Sequence, residues 1–441
     1  MSRTCRRWQV HHRSRFIPIR IRTAGRPDAR DPEEDAPGRR SLAILRRIND
    51  IDGDIVVHLT PVEITPGRIS FHVLTLGPQD GLETMRIAQI APLFESVPPK
   101  LYGGTERIVS YLTEELVRLG HDIVLFASGD SETMAELVSC SPAALRLDPE
   151  VEDPIPHYMV MLERVRRRAA GFDILHFHID NLHYPLVRAM ARPSVTTMHG
   201  RMDLPDYPPL FAEFDEMPLV SISDGQRRGV DANWVATVHH GIPKSLYRLG
   251  SGDGGYLAFL GRISPEKGVD RAIEIAKQAG IPLKIAAKIG VGDRPYFETT
   301  IAPLLDQPHV DFIGEIGEDR KQDFLGRAAA MLFPIDWPEP FGLVMIESMA
   351  CGTPVIGWPC GSVPEVIDDG ITGFIVDDIE SAVDAVAMTA SLDRHLVRRR
   401  FEKRFTAARM ATDYLKVYEA LTEERGGGKL PAQALLSLHA A

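Results

Sequence analysis

At 441 residues, with 50 lysines and arginines against 61 aspartates and glutamates, the chain carries a formal net charge of −11. That acidic balance excludes a general nucleic-acid binder, and the length asks for two or three hydrophobic cores rather than one. The four cysteines, Cys5, Cys140, Cys351 and Cys360, form no C-x-x-C pair, which excludes a conventional disulfide or zinc framework and points to a reducing, cytoplasmic setting.

Residues 1–84 contain no lysine, and nearly all of their cations are arginine. An Arg-rich opening can mimic a transit peptide, but the acidic "DARDPEEDAPG" argues against one. This stretch reads as an extension, disordered or lying upstream of a natural start at Met85. A chain trimmed to residues 85–441 is expected to stay soluble and keep its activity, which expression and assay of that fragment checks.

From Met85 a regular alternation begins. "RIAQIAPL" (86–93) reads as a buried parallel strand, followed by a loop ending in Gly103-Gly104. The helix "TERIVSYLTEELVRLG" (105–120) places Ile108, Val109, Leu112, Leu116 and Leu119 on one stripe, with Thr105 as N-cap and Gly120 as stop. Further strands are expected at 122–128, 173–178, 194–200 and 218–223. "RLGSGDGG" (248–255) has the composition of a linker, and the rhythm then restarts. Strands are expected at 256–263, 282–290, 310–316, 329–335 and 354–358, with a helix at 269–280. The pattern predicts an α/β chain of two Rossmann-like, doubly wound parallel-sheet domains facing each other across a cleft. Residues 85–249 form the first domain and 250–404 the second. A helix at about 405–424 joins the first, and 425–441 form a flexible tail. Ligands of such sheets sit at the carboxyl ends of the strands.

No apolar run reaches the roughly 18 residues a membrane span needs. The basic clusters "VRRRAAG" and "HLVRRRFEKRF" read as solvated helix faces, with peripheral membrane contact at most.

Three segments carry chemistry. In "GRISPEKG" (261–268) Arg262 ends a strand and Lys267 enters a helix N-terminus, where a cation is electrostatically misplaced unless an anion joins it. Gly103 and Gly104 let the backbone approach a ligand at the opening of the first helix. In "EPFGLVMIESMACG" (339–352) Glu339 lies just before a helix and Glu347 within it, eight residues on, roughly 12 Å along the axis at about 1.5 Å per residue. That span suits an extended ligand held at two points and is too wide for a shared metal ion. His176 and His178 in "LHFHID" and His199 in "TMHG" end strands of the first domain and are hydrogen-bonding or acid–base candidates. No third ligand stands at metal-binding spacing, so no metal is assigned.

In this order, "GRISPEKG", "EPFGLVMIESMACGTPVI" and "GSVPEVIDDGITGFIV" (361–376) resemble the family-4 retaining glycosyltransferases of the two-domain B-type (GT-B) fold. The resemblance runs from Met85 to about Glu424. "MRIAQIAPLFESVPPKLYGGTERIVSYL" is similar to a bacterial subgroup that includes enzymes of oligosaccharide-antibiotic assembly. The resemblance implies transfer of a sugar, with retention, from a nucleotide-diphosphate sugar to a saccharide or small-molecule acceptor. The nucleotide sugar is a co-substrate, and no cofactor or metal is implied. Arg262 and Lys267 would neutralise the departing diphosphate, and Glu339 would contact the sugar. Phe341, Gly342 and Leu343 would lie along sugar and phosphate, and Glu347 would take the ribose hydroxyls. Gly103 and Gly104 would close on the phosphates, and His199 would stand beside the reacting sugar, with His178 a further cleft residue. His240, in "VHHGIP", stands where the family more often has asparagine. A D-x-D, Asp52-Gly53-Asp54, lies in the extension, away from any donor site.

The rivals are a nicotinamide oxidoreductase, which lacks its G-x-G-x-x-G after a strand, an epimerase or phosphorylase on the same fold, and a non-catalytic nucleotide-binding protein.

Overall fold

The computed structural model describes residues 84–100 and 103–423, and the strand segments 48–50, 53–55, 58–65 and 68–74. The chain divides into two units, Met1–Leu76 and Gly77–Ala441. In the first, Ile48–Asp50 pairs antiparallel with Gly53–Ile55, and His58–Thr65 with Arg68–Leu74. The tail read at 425–441 lies outside the described residues.

The second unit holds two parallel sheets. The first contains β1 (Arg86–Ile90), β2 (Asp122–Ser128), β3 (Glu136–Ser141), β4 (Ile174–Phe177), β5 (Ser194–Thr197), β6 (Leu219–Ser221) and β7 (Trp234–Thr237), in the order β7-β6-β5-β4-β1-β2-β3. The second contains β8 (Leu257–Arg262), β9 (Leu283–Lys288), β10 (Val310–Gly314), β11 (Ala330–Phe333), β12 (Val355–Gly357) and β13 (Gly373–Ile375), in the order β10-β9-β8-β11-β12-β13. In each, the order reverses direction at the first strand of the domain, the switch point where open α/β sheets bind ligands. Strands covered on both faces explain the near-continuous apolar runs, such as "IVLFA" in β2, whose residues Ile123–Ala127 are all buried.

Helix α1 (Gly104–Arg118) buries Ile108, Val109, Leu112 and Leu116. Its N-cap is Gly103, not Thr105, and no side chain caps it. A Cβ on Gly103 would lie 2.7 Å from that of Pro99, so a larger residue would push the loop off the helix start. In the second domain, α2 (Val269–Ala279), α3 (Glu318–Gly326) and α4 (Leu343–Ala350) flank the sheet. The C-terminal helical stretch is two helices, α5 (Arg394–Arg404) and α6 (Ala407–Glu423). Helix α6 leaves the second domain and packs on the first, placing Met410, Tyr414, Tyr418 and Leu421 in one core with Ile87, Ile108, Val195 and Val220. Full burial of each such side chain is worth about 1.5–3 kcal/mol, enough to hold the helix there.

The chain crosses between domains twice, and the crossings touch. Ile242 and Thr406 form a parallel bridge, flanked by hydrogen bonds from Ile242 N–H to Phe405 C=O (3.0 Å) and from Ala407 N–H to Ile242 C=O (2.9 Å). The segment read as a linker is instead fixed to the second domain. Gly250, Gly252 and Gly254 donate backbone hydrogen bonds to Cys351, Gly326 and Arg327, and Arg394 donates to Gly250 C=O. Its glycines serve close packing, not freedom of movement: a Cβ on Gly250 would sit 2.1 Å from Gly326 O.

Candidate functional site

The carboxyl end of β8 delivers Arg262. Its guanidinium meets Glu266 Oε1 at 2.6 Å and Asp293 Oδ2 at 3.2 Å. Lys267 does not lie in the first turn of α2. It closes a separate 3-10 turn, Pro265–Lys267, and Gly268 stands between that turn and the helix. From there Lys267 Nζ contacts the Glu339 carboxylate and lies 4.6 Å from the centre of the Trp337 ring. Trp337 Nε1–H donates to the same Glu339 oxygen at 3.0 Å. Two residues read separately from their motifs are thus joined through one carboxylate.

Glu339 stands, as expected, before the helix that carries Glu347. Residues 339–342 are irregular and α4 begins only at Leu343, so helical rise does not apply to the whole interval between the glutamates. The irregular loop is locked from behind. Ser362 N–H donates to Glu339 C=O at 3.0 Å, and Ser362 Oγ–H to Phe341 C=O at 2.7 Å. Gly361 makes this approach: its φ is +58°, and a Cβ there would lie 2.3 Å from both Glu339 N and Glu339 O. Only glycine fits.

Glu347 is 2 % exposed. Lys321 Nζ donates to its Oε1 at 2.7 Å, and its Oε2 is buried without a hydrogen-bond partner among the described residues. A desolvated carboxylate oxygen without a donor is unfavourable unless a ligand supplies one. Lys321 also lies 3.3 Å from Glu318, which meets Arg107 of α1 at 3.0 Å. This line of alternating charge runs from α4 through α3 to the first domain. There the opening of α1 faces α4: a Cβ on Gly104 would lie 3.7 Å from Leu343 Cδ1.

On the first-domain side, His178 Nδ1 and His199 Nε2 are 2.9 Å apart. His199 stacks on His240 (centroids 5.2 Å apart, planes at 21°), and His240 meets the Phe341 ring edge-on at 5.0 Å. This pair of contacts joins the histidines to the Glu339 loop. Burial pushes His199 down to about 3 and His178 and His240 well below the usual histidine range, so all three are neutral near pH 7. His199 Nδ1 and His240 Nδ1 are buried without hydrogen-bond partners among the described residues. A second junction lies beside them: Glu365 accepts from the N–H groups of Asp224 (2.7 Å) and Gly225 (2.6 Å) and lies 3.1 Å from His239 Nε2.

Sequence reading passed over Lys321, Trp337, Asp293 and Glu365. Trp337 sits two residues before Glu339 and was within reach. Lys321 lies in the polar run "EDRKQDFLG", which looks like a solvent face.

Residues 102–223 match the family described as Glycosyltransferase Family 4, and residues 249–404 match Glycosyl transferases group 1. A phosphatidyl-myo-inositol mannosyltransferase of Mycobacterium leprae is 25% identical over 383 residues, covering 76% of this chain and 97% of that protein. Among solved structures, AviGT4, a glycosyltransferase involved in avilamycin A biosynthesis, aligns with a TM-score of 0.60 at 24% identity over 77% of this chain and 98% of that one. Anabaena Alr3699/HepE in complex with UDP-glucose aligns with a TM-score of 0.59 at 16% identity over 76% of this chain and 100% of that one. Both likenesses are of fold. With a Family 4 domain on the first sheet and a group 1 domain on the second, the chain belongs to the glycosyltransferases of the GT-B fold.

Proposed function

We propose that this glycosyltransferase moves a sugar from a nucleotide-diphosphate donor to an acceptor hydroxyl, with retention at the anomeric carbon and without a metal ion. The observation that carries the reading is the meeting of Lys267 with Glu339 at the carboxyl edge of the second sheet. Bond cleavage at the anomeric carbon puts charge on the leaving diphosphate while the sugar becomes oxocarbenium-like. Lys267 and Arg262 are fixed cations that can take that diphosphate, exchanging their present carboxylate partners for phosphate oxygens. Release of Lys267 frees Glu339, still held by Trp337, for a sugar hydroxyl. Glu347, with Oε2 unpartnered, is suited to the ribose, and the Gly103-Gly104 opening of α1 to the phosphates. His199 would stand beside the reacting sugar, with His178 and His240 as cleft residues on the acceptor side. UDP-glucose bound to the Anabaena relative supports a sugar nucleotide as the class of donor.

Incubation with a panel of nucleotide sugars tests this, with nucleotide release measured and the anomeric configuration of the product read by NMR. Release from at least one donor, an α-linked product from an α-linked donor, and unchanged rates in EDTA are expected. No release from any donor supports a non-catalytic binding protein instead, inversion removes the retaining assignment, and loss in EDTA removes metal independence.

A further inference from the structure

Gln89 is the one polar side chain on the buried face of "IAQI" in β1, and it is fully buried. Its amide joins two histidine-containing branches into one line of hydrogen bonds. On one side, Gln89 Oε1 lies 2.8 Å from His178 Nε2, and His178 Nδ1 lies 2.9 Å from His199 Nε2. On the other, Gln89 Nε2–H donates to Tyr418 Oη at 3.2 Å, and Tyr418 Oη lies 2.7 Å from His176 Nδ1. The line continues from His176 Nε2 to Thr197 Oγ1 (2.7 Å) and from there to Tyr414 Oη (2.9 Å). It therefore begins on α6 and ends at His199.

A neutral imidazole has one N–H and one lone pair, and a phenol has a single hydrogen to give. A doubly bonded neutral imidazole accepts at one nitrogen and donates from the other, so the orientation of the Gln89 amide fixes the direction of both bonds from Gln89 through His178 to His199. With Gln89 Oε1 toward His178, His178 must donate from Nε2. Its Nδ1 is then an acceptor, and His199 must donate from Nε2. What is left at the end is the His199 Nδ1 lone pair, the nitrogen that is buried and unpartnered beside His240. In the opposite polarity the same position would hold an N–H.

We propose that Gln89 and Tyr418 are positioning residues for glycosyl transfer: through His178 they hold His199 as its Nε2–H tautomer, so that Nδ1 receives a hydrogen bond from a hydroxyl of the transferred sugar. This rests on the reading above that His199 stands beside that sugar. Burial, which keeps these histidines neutral, preserves the one-donor, one-acceptor logic. The consequence is a requirement on the substrate, since a donor deoxygenated at the contacting carbon would leave Nδ1 unsatisfied.

Nitrogen NMR of the full chain labelled with ¹⁵N-histidine tests the tautomer without any substrate, with His199→Gln assigning the signal. The expected result is a protonated Nε2 and a bare Nδ1 at His199 between pH 6 and 8. Tyr418→Phe removes the hydroxyl that holds the Gln89 amide, although it lies in α6 and is three hydrogen bonds from His199. In that variant His199 is expected to show a mixture of tautomers, and kcat to fall roughly 10-fold with donor KM nearly unchanged. Gln89→Met, close in shape but without the amide, should do the same. An Nδ1–H tautomer in the wild type overturns the proposal even if neither variant folds. So does an unaltered His199 tautomer in a folded Tyr418→Phe protein. The expected tautomer in a protein that turns over no donor supports the hydrogen-bond line and overturns the transfer reading on which its use depends.

Discussion

Lys267→Ala is expected to lower turnover about 100- to 1,000-fold, the usual cost of removing one fixed charge-stabilising donor from a transition state. The substitution removes a cation that the structure places against Glu339 and over Trp337. On the proposed function two roles are lost together, stabilisation of the leaving diphosphate and the exchange that releases Glu339. The fold should survive, because Glu339 keeps its bond from Trp337 at 3.0 Å and its backbone is held by Ser362. A stability loss of about 1–3 kcal/mol is the range for leaving a buried polar group short of one partner. Steady-state kinetics on the donor found in the panel, with urea unfolding of the same preparation, measure both. Wild-type turnover in Lys267→Ala removes it from the site. Glu347→Ala should show a different pattern, with donor KM rising about 10- to 100-fold, because the ribose contact proposed for it would hold ground and transition states alike.

Acid should unfold the first domain well before its surface carboxylates protonate. His183 and His199 are pushed down to about 3 by burial, and His176, His178 and His240 also lie well below the usual range. Their folded-state proton affinity is depressed, while in the unfolded chain they titrate near pH 6.5. Below about pH 6.5 the unfolded state therefore binds more protons, and stability falls as pH falls. The stabilising neutral form is fully present above that pH, and the loss continues toward pH 3, where His183 and His199 protonate in the folded protein. Each histidine contributes up to about 1.4 kcal/mol per pH unit, so five together rival the entire stability of a domain within one or two units. Thermal unfolding followed by circular dichroism from pH 7.5 to 4.5 should show a steep fall in Tm below pH 6. A flat profile would mean that the histidines take up protons without leaving their places.

The strands most legible in the sequence were those buried on both faces, and β2 was placed to the residue. In the two parallel sheets those missed, β3, β7 and β13, lie at sheet edges. There one side lacks a neighbour, and segments such as "ELVSCS" are half polar and lose the apolar run that marks a central strand. The site divides in the same way. Arg262, Lys267, Glu339 and Glu347 stand in local motifs, where a strand end or a glycine turn shows in a few residues. Their partners do not. Lys321 reaches Glu347 across 26 positions, and Tyr418 reaches Gln89 across 329. Such pairings exist only after the domain that holds them has folded, so nothing in the local pattern announces them. Glu339 is read just before the helix and lies there, but helical rise fails over the interval to Glu347 for a local reason. "EPFG" is compatible with a helix start in composition, but the turn imposed by Gly361 holds it in another conformation.

The two touching crossings at Ile242 and Thr406 have a consequence for how the molecule moves. A single tether would let the second domain swivel in any direction. Two tethers pinned side by side behave as a door on paired pins, with one easy axis and resistance to twist. Glu365, clasping Asp224 and Gly225, and Arg107, meeting Glu318, add two further contacts across the same seam. The swing such an axis allows would part Leu343 from Gly104 and bring them together again in register, so each closure returns the same faces to each other.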